Sequence, residues 1–220
     1  IVPVQASPSA WEAARYLSHL ASRYDRLAEF TLFLHPDVFE HVSPRTLRNV
    51  LQALLSGTLG RSGLGEHRIP ARVSGRSWYE YLSLSHHYLT RPSRAQARSS
   101  NCTDAELGFN DLRRGVLGHD EDPASDQVRA GAAQLGTFGF YCCSQFMVHR
   151  DRVRQRPREW YQQVSDGIAW EHCATSYMEV LWHAIFNDGR LHEEKRQERL
   201  DLPLFLRVDN FLEGTSEGLV

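Results

Sequence analysis

Residues 173–187, with the sequence CATSYMEVLWHAIFN, are predicted to form a helix that is apolar on almost every side. With residues placed about 100° apart around the helix, only Ser176, Glu179 and His183 are polar, and they share one narrow arc. Such a helix has to be buried, so its polar arc must face the interior or a cleft. Glu179 and His183 are four residues apart and therefore neighbours. They either satisfy each other or serve as a metal ligand or acid/base pair in a pocket.

The N-terminal part of the chain predicts a helix, a strand and a second helix in quick succession. Apolar residues at spacings of three and four predict a helix over about 10–28. The short apolar run 30–34 predicts a strand that is covered on both faces. Ser43 and Pro44 predict the start of the next helix, because serine caps helices and proline suits the first helical position. This order favours a layered α/β domain over a helix bundle.

A group of polar side chains follows the predicted strand within seven residues: His35, Asp37, Glu40 and His41. In open α/β sheets, ligands bind beyond the carboxyl ends of strands and near helix N-termini. We therefore expect a site that includes His35 and Asp37, with a structural role at the strand end as the alternative for His35. His41 is expected to be background.

The sequence contains no internal repeat and is predicted to form a single domain over residues 1–220. Residues 90–131 are poor in apolar side chains and rich in turn formers, which predicts an irregular insertion. Further elements are predicted as strand structure over 136–148 and helices over about 149–156 and 157–168. The run HEEKRQER at 192–199 is predicted to be a solvated charged stretch.

Four cysteines lie outside the CxxC spacing of common metal and redox motifs: Cys102, Cys142, Cys143 and Cys173. Cys142 and Cys143 are adjacent, and neighbours on a strand point to opposite faces. We therefore do not expect them to bind one metal ion together. Buried free thiols are favoured over a disulfide.

Charge and hydropathy exclude two classes of partner. The 25 basic and 27 acidic side chains give a net charge of −2, so no nucleic-acid partner is expected. No apolar run approaches the roughly 20 residues that a membrane span requires. The first residue is Ile rather than Met, so we expect a processed chain in the secretory-pathway lumen or an organelle rather than in the cytosol.

Three stretches carry a combination of motifs. They are WEAARYLSHLASRYDRLAEFTLFLH (11–35, with YD-x-L and FLH), YCCSQFMVHRDRVRQRPREWYQQ (141–163, with CC-x-QF) and EVLWHAIF (179–186, with E-x-x-WH-x-IF). Together they resemble an uncharacterised eukaryotic domain-of-unknown-function family that is similar to glycosyltransferases of the GT-A type. The resemblance covers roughly residues 1–60 and 138–190. It implies a GT-A-like layered sheet with helices on both faces, lacking its N-terminal strands because the chain begins just before the first helix.

The resemblance implies a glycosyltransferase-like enzyme that binds a nucleotide-sugar and a divalent cation, Mn²⁺ or Mg²⁺. His35 would bind the donor, Asp37 and His183 would ligate the cation, and Glu179, His183 and Gln145 would be catalytic.

Residues 36–40 depart from the family pattern, which makes degenerate or lost catalysis one alternative. The other alternative is a non-catalytic structural subunit of a larger, organellar protein assembly, attached through residues 90–131.

Overall fold

The computed structural model describes residues 12–56, 80–91, 138–168 and 172–186, together with positions 193, 195–199, 202 and 206. The helices are α1 (Glu12–Arg23), α2 (Pro44–Leu55), α3 (Arg150–Val153), α4 (Arg158–Ile168) and α5 (His172–Phe186). The strands are β1 (Phe30–Phe33), β2 (Tyr81–Ser83), β3 (Tyr88–Arg91), β4 (Phe138–Tyr141) and β5 (Phe146–His149). Short 3₁₀ turns occupy Tyr24–Arg26, Val38–Glu40 and Arg196–Glu198.

The chain divides into two compact units, each made of separate segments. The first unit comprises Ile1–Arg26, Leu89–Phe140 and Arg156–Glu193, and the second comprises Leu27–Tyr88, Tyr141–Gln155 and Glu194–Val220. The predicted single domain stays a prediction. The predicted insertion at about 90–131 lies almost entirely outside the described residues.

The first unit is built on α1, which packs against both α4 and α5. Leu17 and Leu20 lie on the inner face of α1 and are completely buried. The Ser165 hydroxyl of α4 donates a hydrogen bond to the carbonyl of Ala14 at 3.0 Å, which satisfies a polar group inside this interface. The predicted helices at 10–28, 157–168 and 173–187 therefore form one helical layer, and their buried faces are the ones that the apolar spacing indicates.

A second set of contacts joins the ends of α1 and α4. The Tyr24 hydroxyl donates to the carbonyl of Arg156 at 2.6 Å. The Arg158 guanidinium forms an ion pair with Asp25 and lies 5.7 Å from the centre of the Tyr24 ring. Burial raises the pKa of Tyr161, whose ring lies 6.2 Å from that of Tyr24, so this phenol stays neutral. The segment that follows α1 is thus fixed to the start of α4.

The second unit contains a three-stranded antiparallel sheet in the order β1-β5-β2. The central strand β5 pairs Phe146 with Phe33 on one side and with Ser83 on the other. One core covers this sheet and α2, and its buried members are Val42, Val50, Leu82, Leu84, Met147, Leu202 and Leu206. β3 and β4 form a separate two-stranded sheet.

Helix α2 begins where the sequence predicts. Ser43 is the N-cap, and its Oγ accepts the backbone N–H of Thr46 at 3.1 Å. Pro44 occupies the first helical position, where a missing N–H removes no intrahelical bond. This capped start fixes the end of the preceding loop, residues 34–42.

The α/β class is confirmed by these helices and small sheets, whereas the GT-A-like arrangement stays a prediction. In the described three-stranded sheet, β5 is antiparallel to both of its neighbours. The rule that places ligands at the carboxyl ends of parallel strands therefore does not apply to β1. None of the described helices combines the length and the apolar character that crossing a lipid bilayer requires.

The predicted solvated stretch at 192–199 is wrong in two of its residues. Arg196 is only 1% exposed, and Glu193 is also buried. A charged run is normally a solvated face, but here the Arg196 guanidinium finds backbone carbonyls that make burial of its charge possible.

Replacing the cap of α2 tests its role in stability. We expect Ser43→Ala to lower the free energy of unfolding by about 1 kcal/mol, because the Thr46 N–H loses its acceptor. Ser56→Ala is the matched control, since the Ser56 hydroxyl is exposed and donates to the nearby Ala53 carbonyl. It should change stability by less than about 0.5 kcal/mol. Denaturant unfolding of both variants measures the difference, and equal losses would contradict the capping role.

Candidate functional site

Three loops of the second unit meet beyond the ends of β1, β2 and β4. They span residues 34–42, 84–87 and 142–145. Together they bring six side chains into one histidine–cysteine cluster, whose members are His35, His41, His86, His87, Cys142 and Cys143. These residues come from distant parts of the sequence, so the cluster is a product of the fold.

The side chain of Gln145 joins the first loop to the third. Its Oε1 accepts the backbone N–H of His35 at 3.3 Å, and its Nε2 lies 3.5 Å from the carbonyl of Val38, to which it donates. Gln145 itself is 1% exposed. Both ends of the buried amide therefore serve the backbone of loop 34–42, and this bridge positions His35.

The second loop is held between the other two by backbone hydrogen bonds. His86 N–H donates to the carbonyl of His41 at 2.9 Å. On the other side, Cys142 N–H donates to the carbonyl of His87 at 3.1 Å, and Leu84 N–H donates to that of Gln145 at 2.8 Å. Since these bonds involve only main-chain atoms, they place the histidines independently of the protonation of their rings.

The four imidazole rings form a continuous chain of contacts. His41 lies between His35 and His87, with ring centroids 5.8 Å apart in both pairs and edge-to-face geometry. His86 and His87 are closer, at 3.9 Å between centroids. Three ring nitrogens are shielded from solvent, namely Nε2 of His35 and Nδ1 of His41 and His86. The cluster is thus a concentration of nitrogen donors and acceptors at the surface of the sheet.

The third loop is a tight turn in which two residues with side chains adopt positive φ. Cys143 has φ 75° and Ser144 has φ 48°, a combination that type I′ turns require and that usually selects Gly or Asn. Left-handed backbone at non-glycine residues costs about 1 kcal/mol or more each and is concentrated at functional sites. The turn places both sulfur atoms on one side, and a disulfide joins Cys142 to Cys143.

The expectation of free thiols at Cys142 and Cys143 is therefore wrong, and so is the expectation that the pair points to opposite faces. Alternation of side chains holds within a strand, whereas these residues lie in a turn between β4 and β5. Potential ligand atoms of His41, Cys142 and Cys143 all lie within 4.8 Å of one another. Among the residues that the structure describes, this is the group of donors that is close enough to hold a metal ion.

The buried side chain of Arg196 holds the beginnings of loops 84–87 and 142–145 in place. The Arg196 guanidinium donates to the carbonyls of Ser83, at 2.7 Å, and Ser85. It also lies 4.7 Å from the centre of the Tyr141 ring, and the backbone N–H of Arg196 donates to the Tyr141 hydroxyl at 2.5 Å. The Ser85 hydroxyl in turn lies 3.6 Å from Cys142 Sγ. One side chain thus fixes the residues that precede His86 and Cys142.

The predicted site residues fall in both units. His35 and Gln145 are brought together in the second unit, as their hydrogen bond shows. Asp37 is exposed and precedes the turn Val38–Glu40, without a side-chain capping bond. Glu179 and His183 lie on α5 in the first unit, where His183 is 2% exposed and Glu179 is half-buried. The functional roles of all five stay predictions.

The surroundings of α5 are apolar and keep one phenol neutral. The Tyr16 ring of α1 lies 6.1 Å from that of Trp182. Burial raises the pKa of Tyr16, and the neighbouring Glu12 carboxylate raises it further by its charge and its hydrogen bond. Tyr16 is therefore a permanent hydrogen-bond donor within the first unit.

Sequence reasoning assigned His41 to background and gave no role to His86 or His87. Their proximity depends on loops that are distant in sequence, so spacing carried no signal. A stronger signal was present in HH at 86–87 and CC at 142–143, two pairs of metal-ligand or redox side chains that each follow a predicted strand or strand-capable segment.

A family model described as "Protein of unknown function (DUF3431)" matches residues 4–200. No curated protein and no solved structure matches the chain. The matched region contains the whole histidine–cysteine cluster and both predicted residues of α5. The expected membership of a family of unknown function is thereby confirmed, while the similarity to glycosyltransferases stays a prediction.

Replacing the buried arginine tests its support of the loops. We expect Arg196→Met to lower the free energy of unfolding by about 2 kcal/mol, because the carbonyls of Ser83 and Ser85 lose their buried donor. Arg48→Met is the matched control, since Arg48 is exposed on α2 and should change stability by less than about 0.5 kcal/mol. Urea unfolding measures the free energy of unfolding of both variants, and similar losses would contradict the role assigned to Arg196.

Proposed function

The chain belongs to the DUF3431 family of proteins of unknown function, and from this premise we propose that it is a glycosyltransferase-like enzyme whose nucleotide-sugar binds at the histidine–cysteine cluster. The observation that carries this proposal is the hydrogen bond between His35 N–H and Gln145 Oε1. It joins two stretches, FLH and CC-x-QF, on which the resemblance to glycosyltransferases rests. The bond brings together residues that are 110 positions apart.

The side chains of the cluster suit a diphosphate group. Imidazole N–H groups donate to phosphate oxygens, and an imidazole that gains a proton also balances negative charge. In glycosyl transfer from a nucleotide-sugar, the bond from the sugar carbon to the diphosphate breaks and leaves charge on that diphosphate. Donors that are already in position stabilise this charge without reorganisation. The backbone bonds of loop 84–87 hold His86 and His87 in this way.

The donor atoms that the fold brings together do not suit Mn²⁺ or Mg²⁺, the cations that the resemblance implies. Mn²⁺ and Mg²⁺ prefer oxygen ligands, chiefly carboxylates. The described donors that lie together are two sulfur atoms and one imidazole, and Asp37 is outside that group. These residues do not fit a site for such a cation, so the proposed stabilisation of the diphosphate uses imidazole donors and no step depends on a cation.

The roles of the remaining predicted residues follow from their surroundings. Gln145 is a positioning residue, because both ends of its amide are committed to the backbone of loop 34–42. Glu179 and His183 are four residues apart on α5 in the first unit, and their role as an acid/base pair stays a prediction.

The proposed compartment is the secretory-pathway lumen or another oxidising organelle. Disulfides persist in such compartments and are rare in the cytosol, and the Cys142–Cys143 disulfide supports this assignment.

Calorimetric titration with a panel of nucleoside-diphosphate sugars tests the proposal. We expect one member to bind, and His35→Ala to weaken that binding by about tenfold to a hundredfold through loss of a donor to a charged group. The fold should survive, since the bond to Gln145 uses the backbone N–H of His35. His19→Ala is the matched control, because His19 lies on α1 in the first unit and should leave binding unchanged.

Two further arms separate binding from chemistry. Glu179→Gln and His183→Asn test the predicted acid/base role, which requires that both variants lower turnover and leave the dissociation constant of the donor within about threefold. Titrations with and without Mn²⁺, repeated on Asp37→Asn, report whether a cation takes part. Failure of every nucleotide-sugar to bind under both conditions would refute the enzyme.

A second candidate function is a non-catalytic subunit of a larger protein assembly. Leu51 and Leu55 are one helical turn apart on α2 and are 42% and 88% exposed. Exposed leucines that share a helix face are typical of contacts with another protein chain. Both residues lie in the C-terminal half of α2.

Native mass measurement of the protein from its source tests the second candidate. We expect a mass well above that of the 25.2 kDa chain, and Leu55→Glu should return it to the mass of the single chain. Gln52→Glu adds the same charge at an exposed neighbouring position and should leave the assembly intact. A single-chain mass for the unaltered protein would exclude the subunit function.

A further inference from the structure

We propose that reduction of the Cys142–Cys143 disulfide creates a binding site for a divalent transition-metal ion of the Zn²⁺ class, with Cys142, Cys143 and His41 as ligands. The site lies in the cluster proposed to bind the nucleotide-sugar, but its donors differ from His35, His86 and His87, which are assigned to that ligand. It rests on the mutual proximity of three donor atoms from two loops.

The geometry of the three donors suits such an ion. Their potential ligand atoms lie within 4.8 Å of one another. Ligands about 2.0–2.3 Å from a tetrahedral zinc ion lie roughly 3.5 Å from each other, so small side-chain rotations suffice. Cys142 is buried and Cys143 and His41 are half-buried, which leaves a path for the ion and shields the site from competing water.

The backbone of the turn makes joint ligation possible. Adjacent residues on a strand cannot direct both side chains to one ion. The positive φ of Cys143 and Ser144 turns the chain so that both sulfur atoms lie on the side of His41. His41 is fixed there because its carbonyl accepts the N–H of His86. The unfavourable turn conformation therefore has a function in this proposal, which is to assemble the donors.

Reduction of the disulfide requires a thiol reductant of the class that keeps cysteines reduced in cells. Two thiol molecules supply two electrons and two protons, their sulfurs become a new disulfide, and Cys142 and Cys143 become two thiols. Binding of the ion then releases the two thiol protons to solvent, because thiolates are the metal ligands. The Ser85 hydroxyl, 3.6 Å from Cys142 Sγ, can donate to the thiolate.

The ligand set defines the class of ion. Two thiolates and one imidazole favour Zn²⁺ and its close relatives over Mg²⁺, Ca²⁺ and Mn²⁺, which prefer oxygen. Three protein ligands leave a fourth tetrahedral position open, as in catalytic rather than structural zinc sites. The disulfide form has no thiolate to offer, so the redox state of Cys142 and Cys143 controls metal binding.

The test uses the full chain carrying Cys102→Ser and Cys173→Ser, so that only the adjacent pair remains. Co²⁺ is the probe, since thiolate ligation gives it an intense charge-transfer absorption. After reduction with a phosphine under nitrogen, we expect one Co²⁺ per chain, displaced by one Zn²⁺, and no such absorption before reduction. His41→Ala should weaken binding by roughly tenfold or more, whereas His19→Ala should have no effect.

A second measurement does not depend on how well the variants fold. Alkylation of Cys142 and Cys143 in the reduced chain, followed by mass spectrometry, should be slowed by Zn²⁺ and not by Mg²⁺. Absence of charge-transfer absorption together with unprotected cysteines in the reduced chain would overturn the proposal. Equal Co²⁺ binding by the oxidised chain, or by a folded Cys143→Ser variant, would overturn it as well. Because no nucleotide-sugar is used, these outcomes are separate from the test of glycosyl transfer.

Discussion

The side-chain amide of Gln145 is the interaction on which the second unit's candidate site depends. Gln145 directly precedes β5, the central strand of the sheet, so its position is fixed by pairing on both sides. From there it bonds the backbone at His35 and Val38, while its own carbonyl accepts the N–H of Leu84. Through these bonds, one buried residue fixes the positions of two loops relative to the sheet. The positions of the histidines are set by hydrogen bonds that do not involve their rings.

Local sequence signals predicted the elements of the fold well, because each signal corresponds to a local physical cause. Ser43 and Pro44 marked the start of α2, since a cap and a fixed φ act within one turn. The apolar periodicity that predicted α1 also indicated its buried face. The direction of strand pairing was not predictable in this way, because antiparallel pairing of β1 with β5 joins segments more than a hundred residues apart.

The candidate site was only partly predictable, for the opposite reason. His35 and Gln145 were named through motif resemblance, and the structure brings them into contact. His41 was discounted because its environment depends on loop 84–87, which no spacing rule connects to it. The geometry of Cys142 and Cys143 was inferred from strand alternation, which fails where Cys143 takes a positive φ. Sequence therefore indicates local conformation more reliably than it indicates which loops share a site.

The position of Arg196, more than a hundred residues after the loop that it supports, has a consequence during synthesis. Its guanidinium bonds carbonyls at Ser83 and Ser85, which precede it by 113 and 111 residues. While the ribosome is still making the intervening segments, those carbonyls have no arginine to bind, so the loop bearing His86 and His87 cannot adopt its final support. The histidine–cysteine cluster is therefore completed only after residue 196 has been made, and a nascent chain that stops before this residue carries an unfinished cluster.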